Sequence, residues 1–232
     1  MNIGIIAAEE EEMLAIKNNM KNIIETRYYN LCFYEGEIEG KRCVLVRSGV
    51  GKVNAARTTQ LMIDRFYVDC IINVGSAGAA HEHLNIGDVV IASKLIQYDF
   101  NITDIGKYEP GEICEFGKYM YSDSRLIDLC EDAIKEMTDT SFKVKIGIIG
   151  TADMFCAKPE LTQKVREDFQ VECLEMEGAA IAQVCNLDKI PCLVIRGISD
   201  TPNGNNKIDF HTYLAKASER AADLLKLLIV KI

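Results

Sequence analysis

The run Ile190-Pro191-Cys192-Leu193-Val194-Ile195 is apolar without a break and then ends in Arg196-Gly197-Ile198-Ser199-Asp200. A strand with one wet face alternates apolar and polar side chains. A continuous run of strand length instead predicts a strand covered on both faces, and hence a sheet with helices on each side. Ile3 to Ala8 and Cys70-Ile71-Ile72-Asn73-Val74 read as further buried strands, and Val89 to Tyr98 and Lys143 to Gly150 as two more. Helical patterns lie between them. Glu9-Glu10-Glu11-Glu12 opens one, with Met13, Leu14 and Ile16 on its apolar side, Val53 to Phe66 is a second, and the small-residue run Ala179 to Ala182 marks a third, buried one. Leu126 to Met137 places Leu126, Ile127, Cys130, Ala133, Ile134 and Met137 on one face, and the last helix carries Phe210, Tyr213, Leu214, Ala217, Ala221, Leu224, Leu225 and Leu228 on one side. Residues 31 to 47 have strand character on both sides of Glu39-Gly40, the pattern of a hairpin. Strands alternating with helices, without linker or repeat, make one α/β domain.

A chain of 232 residues, 48% of them hydrophobic, can bury a full core. Its formal charge of -9 argues against nucleic acid or an anionic membrane as partner, because both are polyanions. Nine cysteines without any Cys-x-x-Cys spacing fit small apolar residues in a reducing cytosol better than a disulfide framework. The start, Met1-Asn2-Ile3-Gly4-Ile5-Ile6 followed by glutamates, has no basic region ahead of an apolar stretch, so no secretory signal is expected. No apolar run reaches the ~18 residues of a membrane span. The expectation is a cytoplasmic protein acting on a small molecule.

In α/β sheets ligands gather at the carboxyl ends of the strands. Candidates there are Glu12, Ser76, Phe155, Met176, Glu177, Arg196, Ser199 and Asp200. The set is rich in acids and holds no metal-ligand spacing, Cys/His nucleophile pair or dinucleotide fingerprint. Two separated carboxylates, one to activate water and one to protonate a leaving group, are what hydrolysis of a glycosidic bond requires. Plainer readings stand beside this one. The glutamates at 9 to 12 compensate a helix dipole, Asp200 makes an Asx turn before Pro202, and Phe155 belongs to the core. Gly75-Ser76-Ala77-Gly78 permits either close backbone approach to a ligand or a tight turn. Ser48-Gly49-Val50-Gly51-Lys52 fails as a phosphate loop, since Val46 stands where the first glycine belongs and Val53 where Ser or Thr should follow Lys52. His81 and His83 form a His-x-His pair with no third ligand spaced to match. Glu175 reads as a partner for Arg196 or a lysine and stays outside the candidate site. Asp99 to Gly117 is a long irregular loop of the kind used as a lid or interface piece.

Ile3-Gly4-Ile5-Ile6 with Glu11-Glu12, Ser48-Gly49-Val50-Gly51-Lys52-Val53, Gly75-Ser76-Ala77-Gly78, Glu175-Met176-Glu177 and Arg196-Gly197-Ile198-Ser199-Asp200 follow one another in an order and spacing that resembles a known family. It is that of the 5'-methylthioadenosine/S-adenosylhomocysteine nucleosidases, in the purine nucleoside phosphorylase superfamily, and the resemblance spans essentially the whole chain. It implies a single domain with a central mixed, twisted β-sheet flanked by helices, a nucleoside substrate, a homodimer, and neither cofactor nor metal. It also implies roles. Asp200 matches the general acid that protonates adenine N7, held by Ser199. Glu12 matches the residue that orients and deprotonates the attacking water, assisted by Ser76 and Arg196. Glu177 would hold the ribose hydroxyls and Met176 would lie against the sugar. Phe155 would stack on adenine while the backbone of Cys156 reads its pairing edge, with Gly78 also at the substrate. Val50, Ile105 and Phe210 would line the pocket for the 5' substituent, the first two donated by a partner subunit.

Phosphate is the rival nucleophile in this superfamily. The hexameric bacterial phosphorylases have an Arg three residues before the serine matching Ser76, where this chain has Asn73, so hydrolysis is expected over phosphorolysis. The chain departs from the family at Glu9, commonly Met, and at Ile105, often Phe. Glu9 makes the pocket more acidic and shifts the expected 5' preference toward a polar or cationic tail. A non-catalytic nucleoside-binding protein on the same scaffold is the alternative of a different class; Glu12 together with Asp200 speaks against it, since binding alone needs no acid and base.

Overall fold

The computed structural model describes residues 1–139, 141–156, 158–202 and 206–232, with backbone alone at 206–209 and 211. The covered strands predicted from apolar runs form the middle of one mixed sheet. β1 (Asn2–Ala7) pairs in parallel with both β4 (Lys41–Arg47) and β5 (Cys70–Ala79), and β5 pairs in parallel with β10 (Cys192–Asp200). β10 also pairs antiparallel with β6 (Val89–Gln97), which runs parallel to β8 (Val144–Thr151), which runs parallel to β9 (Val171–Glu175). β9 returns antiparallel to β5 through Gly78↔Leu174 and Ala79↔Cys173. These five strands therefore close on themselves, while β1, β4, β3 (Leu31–Ile38) and β2 (Lys21–Tyr28) extend from β5 as an open wing, and the short β7 (Met120–Tyr121) pairs with β6.

Both faces of the sheet are packed, as the unbroken apolar runs require. On one side α2 (Lys52–Phe66) and α5 (Gly178–Asp188) bury Ala55, Met62, Phe66, Ala179, Ile181 and Cys185 against Ile6, Val46, Ile71 and Val194. On the other, α1 (Glu10–Lys17), α3 (Ser124–Lys135) and α6 (Asn206–Lys231) bury Met13, Ile16, Leu126, Cys130, Ala221, Leu224 and Leu228 against Ile3, Ile5, Ile72 and Ile195. α4 (Pro159–Phe169) packs Val165 and Phe169 on Val171 and Leu174 in a smaller cluster. The hairpin turns at Glu39 and Gly40, both at positive φ.

The structure revises the sequence reading at four places. β5 and β10 do not stop where their apolar runs stop. β5 stays extended through Gly75-Ser76-Ala77-Gly78, and β10 through Arg196 to Asp200, because the two pair there, Arg196↔Gly75 through Asp200↔Gly78. Ser76, Gly78, Arg196, Ser199 and Asp200 thus sit on strand, not on loops beyond it. β2 has no apolar signature because it is the outer strand of the wing and mostly exposed. α4 and β9 were likewise not read from the sequence: α4 presents only Thr162, Val165 and Phe169 inward, and β9 is a short strand between two helices.

Candidate active site

Each candidate side chain owes its position to a junction where backbone groups need partners. Glu12 stands in the first turn of α1, whose opening N–H groups have no intrahelical acceptor. Its Oε2 accepts from the N–H of Ala8 at 2.9 Å and of Glu9 at 3.0 Å, so the carboxylate folds back over the β1–α1 turn. Its Oε1 accepts from the N–H of Ser76 at 2.8 Å and the hydroxyl of Ser76 at 2.9 Å, which ties the helix to β5. Glu12 is 4% exposed, whereas Glu10 and Glu11 face solvent and serve the dipole, Glu10 with Arg47 at 2.9 Å.

Asp200 ends β10 beside Gly78. It is 2% exposed, and its Oδ1 accepts from the Ser199 hydroxyl at 2.8 Å. A Cβ at Gly78 would stand 2.8 Å from Asp200 Oδ2, and one at Gly75 would stand 2.7 Å from Arg196 Nη1 and 2.9 Å from Glu12 Oε1. The glycines of β5 are thus there because carboxylates and a guanidinium cross its surface, not for a turn.

Between these acids lies a buried ion cluster. Arg196, 1% exposed, gives Nη2 to Asn73 Oδ1 at 2.6 Å and to Glu175 Oε2, and the same nitrogen is 3.7 Å from Glu177 Oε2. Burial alone would lower the Arg196 pKa; the charges of Glu175, Glu177 and Glu12 outweigh it and raise it. Glu175 also accepts from the Thr151 hydroxyl and from the N–H groups of Glu177 at 3.0 Å and Gly178 at 2.6 Å, so it caps α5. Glu177 Oε1 accepts from the Gly51 N–H at 2.9 Å. Burial first, then the charge of Glu175, pushes the Glu177 carboxyl up to about 8, with Arg196 and the Gly51 N–H opposing.

Glu12 and Asp200 face one cavity of about 170 Å³. Ser76, Ala77, Gly78, Met176, Glu177 and Ser199 line it, together with Phe155, Cys156, Phe210, Val50 and Glu9. Phe155 and Phe210 meet edge to face at 5.7 Å, and Cys156 Sγ lies 3.3 Å from Thr162 Oγ1. The sequence reading therefore brought together residues that are far apart in the chain. Two placements differ from it, and one residue joins the site. Arg196 lies beneath the cavity rather than on its wall, because three neighbouring carboxylates engage it; it acts on Glu12 and Glu177 through charge. Val50 lines the cavity of its own chain, on the turn before α2. Ile105, expected from a partner subunit, sits 71% exposed on a short 3-10 turn in the 99–117 loop, away from the cavity of its own chain. Glu175, left out of the candidate site, lines it. Its signal is an acid placed three residues before the start of the buried helix at Gly178.

His83 Nε2 is 3.1 Å from Glu172 Oε2 and its ring stacks on His81 with centroids 4.7 Å apart. Among the described residues no three His, Cys, Asp or Glu side chains are grouped to hold a metal ion. No helix among them is long and apolar enough to cross a membrane.

The family model of the phosphorylase superfamily matches residues 2–230. Over 226 residues the chain is 37% identical to the 5'-methylthioadenosine/S-adenosylhomocysteine nucleosidase of Aeromonas salmonicida, covering 97% of each protein. The chain belongs to this nucleosidase family of the phosphorylase superfamily. The crystal structure of the same-named nucleosidase of Neisseria meningitidis, in complex with methylthio-immucillin-A, is similar at a TM-score of 0.95 and 34% identity, over 100% of this chain and 99% of that one. The futalosine hydrolase of Helicobacter pylori is similar at a TM-score of 0.94 and 28% identity, over 100% of this chain and 98% of that one. The fold of the nucleosidase family thus carries hydrolases of more than one named substrate.

Proposed function

We propose that the chain hydrolyses the N-glycosidic bond of 5'-methylthioadenosine and S-adenosylhomocysteine, giving adenine and the 5'-substituted ribose. The observation that carries this reading is that Glu12 and Asp200, far apart in sequence, face a single cavity with complementary settings. Glu12 is an acceptor for every donor around it, so it faces the cavity as an acceptor. Asp200 shares that cavity with the aromatic pair Phe155 and Phe210, against which a flat base would lie.

In this reading Phe155 and the Cys156 backbone take the base, Glu177 the ribose hydroxyls and Met176 the sugar face. As the C1'–N9 bond breaks, Asp200 gives its proton to N7, so adenine leaves neutral, and water adds to C1' while Glu12 takes the water's proton. The geometry adds a constraint on that water. A carboxylate offers about four lone-pair sites, and those of Glu12 are met by three N–H groups and the Ser76 hydroxyl. Only the hydroxyl can turn, so water reaches Glu12 by taking its place, with Ser76 then bonding to the water.

Phosphate is disfavoured as the nucleophile on charge. The cavity is lined by Glu9, Glu12, Glu175, Glu177 and Asp200 and by no Lys, Arg or His among the described residues. Arg196, the cation beneath, is engaged by Asn73, Glu175 and Glu177. A phosphate dianion would find no cation on the cavity wall and would face the Glu12 carboxylate. We further read the protein as a cytoplasmic homodimer whose exposed Ile105 reaches the cavity of the second copy, with methionine salvage taking up the methylthioribose. Adenine release from methylthioadenosine in phosphate-free buffer tests the activity. Release at an undiminished rate is expected; release only when phosphate is added would make the chain a phosphorylase, and binding without release a nucleoside-binding protein.

A further inference from the structure

Helix α2 starts without a cap of its own. Gly51 is its N-cap residue, its first turn holds no acid, and its first N–H, that of Lys52, donates to Asp153 Oδ1 at 2.8 Å. Asp153 belongs to the loop between β8 and α4. Its own N–H donates to Asp99 Oδ2 at 3.0 Å, and Asp99 Oδ1 holds Lys52 Nζ at 2.7 Å, which closes a ring of three residues from two loops and the start of α2. The backbone of Gly51 turns at φ 98, and a Cβ there would come within 3.1 Å of Asp153 Oδ1, so the carboxylate rests directly against the turn.

None of the three residues lines the cavity, yet each is bonded to a segment that does. The Gly51 N–H holds Glu177, and Val50 precedes it. Met154, Phe155 and Cys156 follow Asp153 without a break. Partly exposed ion pairs contribute little to stability; what this ring supplies is registry between two walls of a site, and small misplacements at such sites are costly. We propose that Asp153 is a positioning residue for the hydrolysis, setting the base-stacking loop of Phe155 against the turn whose Gly51 N–H holds Glu177. The inference rests on the roles assigned above to Phe155 and Glu177.

The test measures the Kd of the C-nucleoside analogue of methylthioadenosine, whose carbon–carbon link does not hydrolyse, in a double-mutant cycle. Asp153→Ala removes the acceptor through which the Phe155 loop holds the Lys52 N–H of the facing turn, and weakens binding about tenfold, the scale of one charge-assisted hydrogen bond. In a Glu177→Ala background, where Gly51 has nothing left to hold, the same substitution has a markedly smaller effect. Asp153→Asn, which keeps an acceptor for the Lys52 N–H, recovers part of the loss. A Kd unchanged in Asp153→Ala, or effects that multiply as independent sites, would overturn the proposal; a role in stability alone moves the melting temperature and leaves the cycle uncoupled. Should Asp153→Ala fail to fold, Asp99→Ala carries the same cycle, since it cuts the Asp153 N–H tether and leaves α2 capped. Adenine release by the wild type is scored separately, so coupling without release sinks the hydrolase reading and not this one.

Discussion

Replacing Glu12 by Gln separates the two roles the structure gives that residue. The carboxylate meets three N–H donors and one hydroxyl. A carboxamide has one oxygen, and its best arrangement keeps that oxygen on the Ala8 and Glu9 N–H groups, which define the β1–α1 turn. The NH2 group then faces the Ser76 N–H, which loses its acceptor, while the Ser76 hydroxyl reverses to accept. The expected stability cost is that of one charge-assisted bond, about 1.5–3 kcal/mol. A domain with about 5–15 kcal/mol of stability remains folded after such a loss. The chemical cost is larger, because the base is gone: kcat should fall about 100-fold to 10,000-fold. Urea denaturation gives the first quantity and chromatographic adenine release the second, on the same preparation. Ser76→Ala is the internal contrast, since it frees a lone pair on Glu12 without removing the base, and should cost less than about tenfold, the scale of one ordinary hydrogen bond. A folded Glu12→Gln protein with kcat within about threefold of wild type would remove Glu12 from proton transfer.

Other expectations follow from the same geometry. Asp200→Asn should abolish turnover and leave nucleoside binding measurable by calorimetry, since the amide fills the same space but has no proton to give N7; near-normal turnover would take Asp200 out of its role. Glu9 lines the cavity, and burial first, then the charges of Glu12 and Glu11, raises its carboxyl. Glu9→Met should therefore shift the ratio of kcat/KM toward methylthioadenosine and away from S-adenosylhomocysteine, whose tail carries an ammonium; an unchanged ratio would end that idea. The Glu177 carboxyl, raised from 4.5 to about 8, binds its proton more tightly folded than unfolded. Its contribution to stability is thus full below the unfolded value and is lost as pH rises through the folded one. Urea midpoints should fall over that window in the wild type and fall less in Glu177→Gln; parallel slopes would contradict the assignment.

Much of this site was legible because its residues stand in motifs that local structure must respect. Glu12 in a first helical turn, Ser76 among glycines and Asp200 beyond a buried run all follow an apolar strand run at its carboxyl end. What the sequence obscured was partnership. Nothing local says that β5 and β10 pair through their glycines, so the run Gly75 to Gly78 leaves close approach and a tight turn both open, and the fold decides for strand kept bare for Arg196, Glu12 and Asp200. Arg196 stands among the substrate-binding candidates because it ends a buried run beside a serine and an acid; its pairing with Glu175 is one of the readings open for that glutamate, whereas its bond to Asn73 is shown only by the fold. The wing strand β2 and helix α4 were invisible for the opposite reason. Each buries too little for its pattern to rise above its polar residues.

The central claim is that water, directed by Glu12, adds to the sugar carbon that adenine leaves. Turnover of methylthioadenosine in 18O-enriched water containing phosphate, followed by mass spectrometry of the sugar product, tests it directly. The account predicts methylthioribose carrying one 18O at the anomeric position. Unlabelled methylthioribose 1-phosphate would contradict it.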